Sequence, residues 1–153
     1  LRKAHRLLDE KDAYQYLTEA PFGVLSTLSV DNGYPYATAV NHVVIDGDIY
    51  FHSALDGHKI DNIETNNLVS FFVILDATVN QTAYTTNFKS VHVFGKASVV
   101  TDKKERFNIL MKIAKKFTGE AFRDASKHIN EAFGQTKIIK IEIDHISGKY
   151  RDK

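Results

Sequence analysis

Apolar positions along the 153-residue chain change period several times, and the changes divide it into short strands and a few helices. Asp9, followed by Tyr14 and Leu17 at helical spacing, predicts a capped helix over 9–20 that Pro21 ends. Residues 22–30 alternate loosely and are β-branched enough for a strand, and 36–45 and 48–53 read as a second and a third. Asp31-Asn32-Gly33 and Asp46-Gly47 separate them, because such pairs accept the positive φ values of a tight type I′ turn. Three meandering strands in a row predict antiparallel sheet.

The period then becomes helical over 56–66, where Ile60, Ile63 and Leu68 make a narrow inner face. Residues 68–77 form a nearly continuous apolar strand, expected to be buried on both faces, and the polar, Thr-rich 80–87 reads as a loop. Over 90–100, Val91, Val93, Ala97 and Val99 take one face and Ser90, His92, Lys96 and Ser98 the other, with Gly95 as a bend or bulge. Thr101-Asp102 cap a helix to Phe117 whose stripe is Phe107, Leu110, Met111, Ala114 and Phe117. Residues 118–134 are amphipathic, and 137–146 close the chain as a strand with Ile139, Ile141 and Ile143 inward. With no repeat or linker, 1–153 reads as one mainly β domain with peripheral helices. Six antiparallel strands predict a small, partly split β-barrel.

Composition narrows the function more than the fold. Lys and Arg number 20 against 19 Asp and Glu, so no bulk field attracts nucleic acid or an anionic membrane. The densest cationic run, 112–116, reads as a solvated helix face, so a nucleic-acid partner is not expected. There is no cysteine, which removes disulfides, thiolate metal sites and cysteine nucleophiles and suits a cytoplasmic location. The longest apolar run, 68–75, is broken by Ser70 and far short of the ~18 residues of a membrane span. His42, His52, His58 and His92 lie at no zinc-ligand spacing, so no metal site is expected. A haem ligand stays compatible with the pattern. Gly-x-Ser-x-Gly, GxGxxG and phosphate-loop motifs are absent.

The segment 50–60 is the most informative. A strand ends in Ser53, a glycine-containing turn follows, and a helix begins among Gly57, His58 and Lys59. Free N–H groups at a helix start attract an anion, and Ser53, His58 and Lys59 would add a hydroxyl, a ring donor and a charge. Such a turn fits a phosphate cradle, or an ordinary strand–helix junction with a surface lysine. His52 shares a strand face with Tyr50. It reads either as a proton carrier beside a bound cofactor or as a partly buried strand histidine.

These segments, in order, carry a resemblance. Arg2, Lys3, Arg6, Leu8 and Asp9 open the series, and Phe22-Gly23-Val24-Leu25-Ser26-Thr27 and Tyr34-Pro35-Tyr36-Ala37-Thr38-Ala39-Val40-Asn41 follow. Next come Asp46 to Ser53 with Gly57-His58-Lys59, then Ser90-Val91-x-Val93-x-Gly95-x-Ala97 and Ile146-Ser147-Gly148-Lys149. The chain resembles the flavin-binding split β-barrel family of the pyridoxamine phosphate oxidase type, in its nitroimidazole-resistance branch.

The resemblance implies a cytoplasmic homodimer with FMN at the subunit interface. Ser53, His58 and Lys59 would hold the 5′-phosphate, and Thr38, Ala39, Val40 and Asn41 would line the isoalloxazine. Ser90 and Val91 would reach the flavin across the interface, and His52 would position substrate or supply a proton. The implied activity is an oxidoreductase that uses NADH or NADPH to reduce a small acceptor such as a nitroaromatic. The alternative is a non-catalytic holder of FMN or haem. His58 stands where the family has arginine, so a bidentate clamp becomes one titratable donor, and FMN should bind more weakly than is usual, more so at higher pH. The family's C-terminal substrate segment has no counterpart, so pyridoxamine phosphate oxidation itself is not expected.

Overall fold

The computed structural model describes residues 4–119 and 125–152. The basic pair at residues 2 and 3, and residues 120–124 of the amphipathic stretch, lie outside the described residues. Helix α1, Glu10–Glu19, begins where the Asp9 carboxylate accepts the Asp12 N–H at 2.7 Å, and it buries Ala13 and Leu17. Strands β1 (Phe22–Leu28), β2 (Pro35–Asn41), β3 (Val43–Ile45) and β4 (Asp48–Ala54) follow, then helix α2 (His58–Thr65). Strands β5 (Leu68–Asn80) and β6 (Thr85–Val100) precede helices α3 (Lys103–Thr118) and α4 (Ala125–Phe133), and β7 (Thr136–Arg151) closes the fold.

One antiparallel sheet runs β2-β1-β5-β6-β7-β4-β3 and curls into a split barrel. It has seven strands rather than six because the expected second strand has two partners. Its first half pairs with β1 and its second half with β4, at opposite edges of the sheet. His42 is the single residue between them. It has no exposed surface, stacks edge-on against Phe71 at 4.9 Å, and donates from Nε2 to the Leu17 carbonyl at 2.7 Å. Its Nδ1 is buried and has no hydrogen-bond partner among the described residues. Lys116 of α3 ties the same junction by donating to the Ala20 and His42 carbonyls at 2.7 and 2.8 Å.

The barrel interior is filled by Leu25, Phe51, Phe71, Val91, Val93, Ile139 and Ile141, while α3 packs outside on Val43, Tyr50, Val100 and Ile138. Several expectations are corrected here. Strand β5 is buried on one face only: Val69, Phe71 and Val73 point inward, but Leu68 and Ile74 are more than half exposed. The expected loop at 80–87 is shorter than predicted: residues 81–84 form the turn, while Asn80 and 85–87 belong to β5 and β6, which extend into a hairpin closed by the Asn80 side chain accepting the Ala83 N–H at 3.0 Å. In α3 the buried residues are Ile109, Leu110 and Ile113, and Phe107 and Phe117 lie at the margins. Met111 and Ala114 of the expected stripe pack partly buried beside them, so the inner face is shifted toward Ile109 and Ile113, which meet a cluster shared by β3, β4, β7 and α4.

Asp46 and Gly47 have the paired positive φ values of the expected tight turn, 50° and 84°. At the earlier turn only Gly33 is positive, and the Gly33 N–H reaches back to the Ser29 carbonyl across a longer loop. The extra residue near Gly95 belongs to β7 instead: Phe94 faces His145 and Gly95 faces Ile143, so Asp144 is the bulge. Gly95 is required for close approach, because a Cβ there would sit 2.3 Å from the Glu142 carbonyl oxygen. Gly95→Ala should therefore lower stability by about 2 kcal/mol in urea unfolding.

His42 supplies a pH signature. Burial holds its pKa down at about 4, helped by the Lys116 charge and opposed by the Leu17 hydrogen bond, so the ring is neutral in the fold. The unfolded chain takes up that proton below 6.5 while the folded one resists until about 4. Stability is thus retained above 6.5 and falls as pH drops through this window, by about 3 kcal/mol in all. His42→Gln, which keeps a donor but does not titrate, should flatten the dependence in unfolding measured between pH 7 and 4.

Candidate functional site: the β4–α2 turn and the outer sheet groove

Strand β4 alternates, so His52 reaches the surface while Phe51 and Ser53 point into the barrel. The chain leaves β4 at Ala54 and enters α2 through Gly57, whose φ of 141° is glycine backbone. Gly57 is the N-cap and offers no side-chain cap, so the helix starts with unspent N–H groups. A Cβ built on Gly57 would meet nothing within 4 Å, which leaves the approach to those groups open. Lys59 is half-buried on the first turn and forms no ion pair among the described residues.

His58 is placed differently from a free donor. Its Nε2 lies 2.9 Å from the Ser29 hydroxyl and its Nδ1 3.5 Å from the Asp31 carboxylate, and its ring meets Tyr36 edge-on at 4.7 Å. One turn later Asn62, fully buried, accepts the Val30 N–H and donates to the Thr27 hydroxyl, both at 2.9 Å. Helix α2 is thereby stitched to the β1–β2 hairpin. Sequence reasoning missed Ser29, Asp31 and Asn62. Only the helical spacing of His58 and Asn62 beside a polar turn could have pointed to them.

The β2 residues divide by face. Thr38 and Val40 lie opposite Leu25 and Gly23, on the barrel side, whereas Ala39 and Asn41 share the other face with Val24 and Phe22. Asn41 donates to the Pro21 carbonyl at 3.1 Å. Val91 is fully buried in the core, so its side chain faces no ligand on the outer surface. Ser90 takes the opposite face and lines a groove of about 390 Å³ with Ser26, Ser70, Phe72, His92, Ser147 and Lys149. Serines from four adjacent strands thus meet in one groove. Alternation marks each on its own strand, but only the strand order brings them together. Neither the Ser53–Lys59 turn nor β2 contributes to this groove, so of the expected site residues Ser90 alone lines it.

Burial, seconded by the Lys59 charge, lowers the His52 pKa. Among the described residues no group of three or more histidines and carboxylates could hold a metal ion, and no helix is long and apolar enough to cross a membrane.

The sequence profile described as pyridoxamine 5′-phosphate oxidase matches residues 9–150, and the chain belongs to that family. No functionally curated protein matches it. Among solved structures it is similar to a candidate 5-nitroimidazole antibiotic resistance protein from Bacteroides thetaiotaomicron VPI-5482. That pair has a TM-score of 0.78 and 22% identity over 94% of this chain and 85% of the other. An FAD-binding protein from Mesorhizobium loti is 23% identical over 96% and 98% of the two chains, with a TM-score of 0.66. An FAD and haem binding protein from Mycobacterium smegmatis is 13% identical over 97% and 74%, at 0.78. At these identities the likeness is one of fold.

In a proton NMR titration, His52 should become protonated below the ordinary 6.5, and Lys59→Gln should raise its midpoint. An unmoved midpoint would separate the two side chains.

Proposed function

We propose that the protein binds FMN and works as a flavin-dependent oxidoreductase that reduces a small acceptor, of nitroaromatic type, with electrons from NADH or NADPH. The observation that carries this reading is the open, uncapped start of α2 with Lys59 beside it, in a chain of this family. The donor set suits a phosphate dianion, since backbone N–H groups, a helix dipole and one unpaired ammonium converge on it. Lys59 and the backbone of the turn carry the phosphate, whereas the expected Ser53 hydroxyl is turned into the barrel. The His58 ring is committed to Ser29 and Asp31, and its contribution is chiefly to hold the turn against the hairpin.

When bound, the flavin supplies hydride and electron transfer that no side chain here offers. Thr38, Ala39, Val40 and Asn41 of β2 run along the ring and offer their backbone groups. His52, with its pKa lowered, stays neutral near pH 7 and accepts or returns a proton at Nδ1 or Nε2 of its ring. A second copy of the chain covers the outer sheet face, where Phe72, Ile74 and Phe94 are exposed around the groove. That copy brings Ser90, and the backbone of Val91, to its partner's flavin. A second reading, cofactor holding without turnover, draws support from the M. smegmatis neighbour that binds both FAD and haem.

The visible spectrum of the purified protein tests these readings after addition of FMN or FAD and then of NADH or NADPH. A bound flavin band that bleaches supports the oxidoreductase, a band that persists supports the holder, and no binding overturns both. Lys59→Gln should weaken FMN about tenfold or more, the worth of one charge-assisted hydrogen bond. His58→Arg gives up the Ser29 contact but brings a permanent charge to the helix start and should tighten FMN; unchanged or weaker affinity would leave His58 only the role of holding the turn against the hairpin. His52→Ala should lower turnover and leave FMN affinity intact.

A further inference from the structure

The tip of the β1–β2 hairpin carries a chemistry that neither the sheet nor the candidate site uses. Among the asparagines of the chain only Asn32 is followed by glycine. The others precede His, Ile, Asn, Leu, Gln, Phe or Glu, whose side chains crowd the next peptide nitrogen. Asn32, Gly33 and Tyr34 are all exposed, and a Cβ built on Gly33 would meet nothing within 4 Å. The nitrogen of the 32–33 peptide is therefore open on its glycine side.

The Asn32 side chain is already folded toward that nitrogen. Its Oδ1 accepts the Tyr34 N–H at 3.0 Å, which closes an Asx turn and lays the side-chain carbonyl back along the Gly33 peptide. The same N–H donates to the oxygen on which negative charge gathers when the carbon beside it is attacked. One bond acts in the opposite sense. The Gly33 N–H donates to the Ser29 carbonyl at 2.9 Å, which occupies the attacking nitrogen while the tip is closed. The tip in turn is fastened to α2 by Ser29 and Asp31 on His58 and by the Val30 N–H on Asn62.

We propose that Asn32 is a self-modifying site, deamidated by the Gly33 nitrogen whenever the hairpin lifts from α2. The nitrogen attacks the Asn32 side-chain carbon and a C–N bond forms, closing a five-membered succinimide. The Cγ–Nδ2 bond breaks, and ammonia departs with the proton that Gly33 gives up. Water then adds to one of the two ring carbonyls and leaves aspartate or isoaspartate. No oxidant or reductant is involved. Isoaspartate lengthens the main chain by one carbon between 32 and 33, so the bond from Gly33 to Ser29 is lost. Either product sets a second carboxylate next to Asp31, close to the start of α2. The extent of deamidation records the time the hairpin has spent open, and the isoaspartyl product favours the open form.

The test is ageing of the full chain at mildly alkaline pH, with the rate at each asparagine read by peptide mass spectrometry and aspartyl and isoaspartyl forms separated by chromatography. Asn32 should account for nearly all of the early deamidation, with the exposed Asn41 and Asn67 as internal references. His58→Ala, which releases Ser29 and Asp31 from α2, should raise the rate at Asn32 about fivefold, the worth of one net hydrogen bond, and leave Asn41 unchanged. In the fraction with isoaspartate at position 32 the Val30 amide should exchange with deuterated solvent several-fold faster. Asn32→Asp, which adds the charge without the extra carbon, should leave that exchange as it was. None of these readouts requires a flavin. Deamidation at Asn32 no faster than at Asn41 and Asn67 would overturn the proposal, and an unchanged rate in His58→Ala would overturn its dependence on the hairpin's opening. Unchanged Val30 exchange in the isoaspartyl fraction, or equal acceleration in Asn32→Asp, would overturn the effect assigned to the longer main chain.

Discussion

The two edges of the seven-stranded sheet are joined by one residue with no exposed surface. That residue, His42, cannot leave the interior without separating β2 from β3, so the barrel closes through a covalent joint where the ladder of hydrogen bonds stops. The joint is polar in an apolar place. One ring nitrogen is satisfied by α1, the main-chain oxygen is satisfied by α3 through Lys116, and the other ring nitrogen is unpaired among the described residues. An unpaired buried acceptor costs on the order of 1–3 kcal/mol, which packing against Phe71 and the rest of the core must offset. Both flanking helices are thereby referenced to one point.

From that joint the placement of the candidate site follows. Strand β4 pairs with β3 on one side and β7 on the other, so the end of β4 and the turn into α2 are fixed relative to the closure. Helix α2 then returns to the opposite edge through His58 and Asn62, whose partners sit on β1 and its hairpin. The open helix start is held from both edges of the sheet. A turn supported this way is ordered in the free protein, and such preorganisation reduces the entropy lost when a ligand binds.

Local signals in the sequence were sufficient for most elements because each has its own period and its own punctuation. The Asp9 cap, the Asp46-Gly47 turn, the alternation at 90–100 and the inward Ile139 and Ile141 all depend on neighbours in the chain. What was not legible depends on partners distant in sequence. Nothing local says that residues on either side of His42 pair with different strands, or that the bulge opposite Gly95 lies at Asp144. The same holds for β5: its apolar run is continuous, yet one face meets the core and the other meets the surface. For the site, the β4–α2 turn was visible as a motif, whereas the engagement of His58 by Ser29 and Asp31 needed the fold.

The hydrogen bond from the Val30 amide to the Asn62 side chain also gives the hairpin a clock. That proton points into a buried amide group on another element, so exchange with deuterated solvent requires the hairpin to lift away from α2. Its protection measures the free energy of that opening alone, separately from global unfolding. Backbone amides of β1 paired on both sides exchange only through larger openings of the sheet. The difference between the two sets a scale for how independently the turn region breathes.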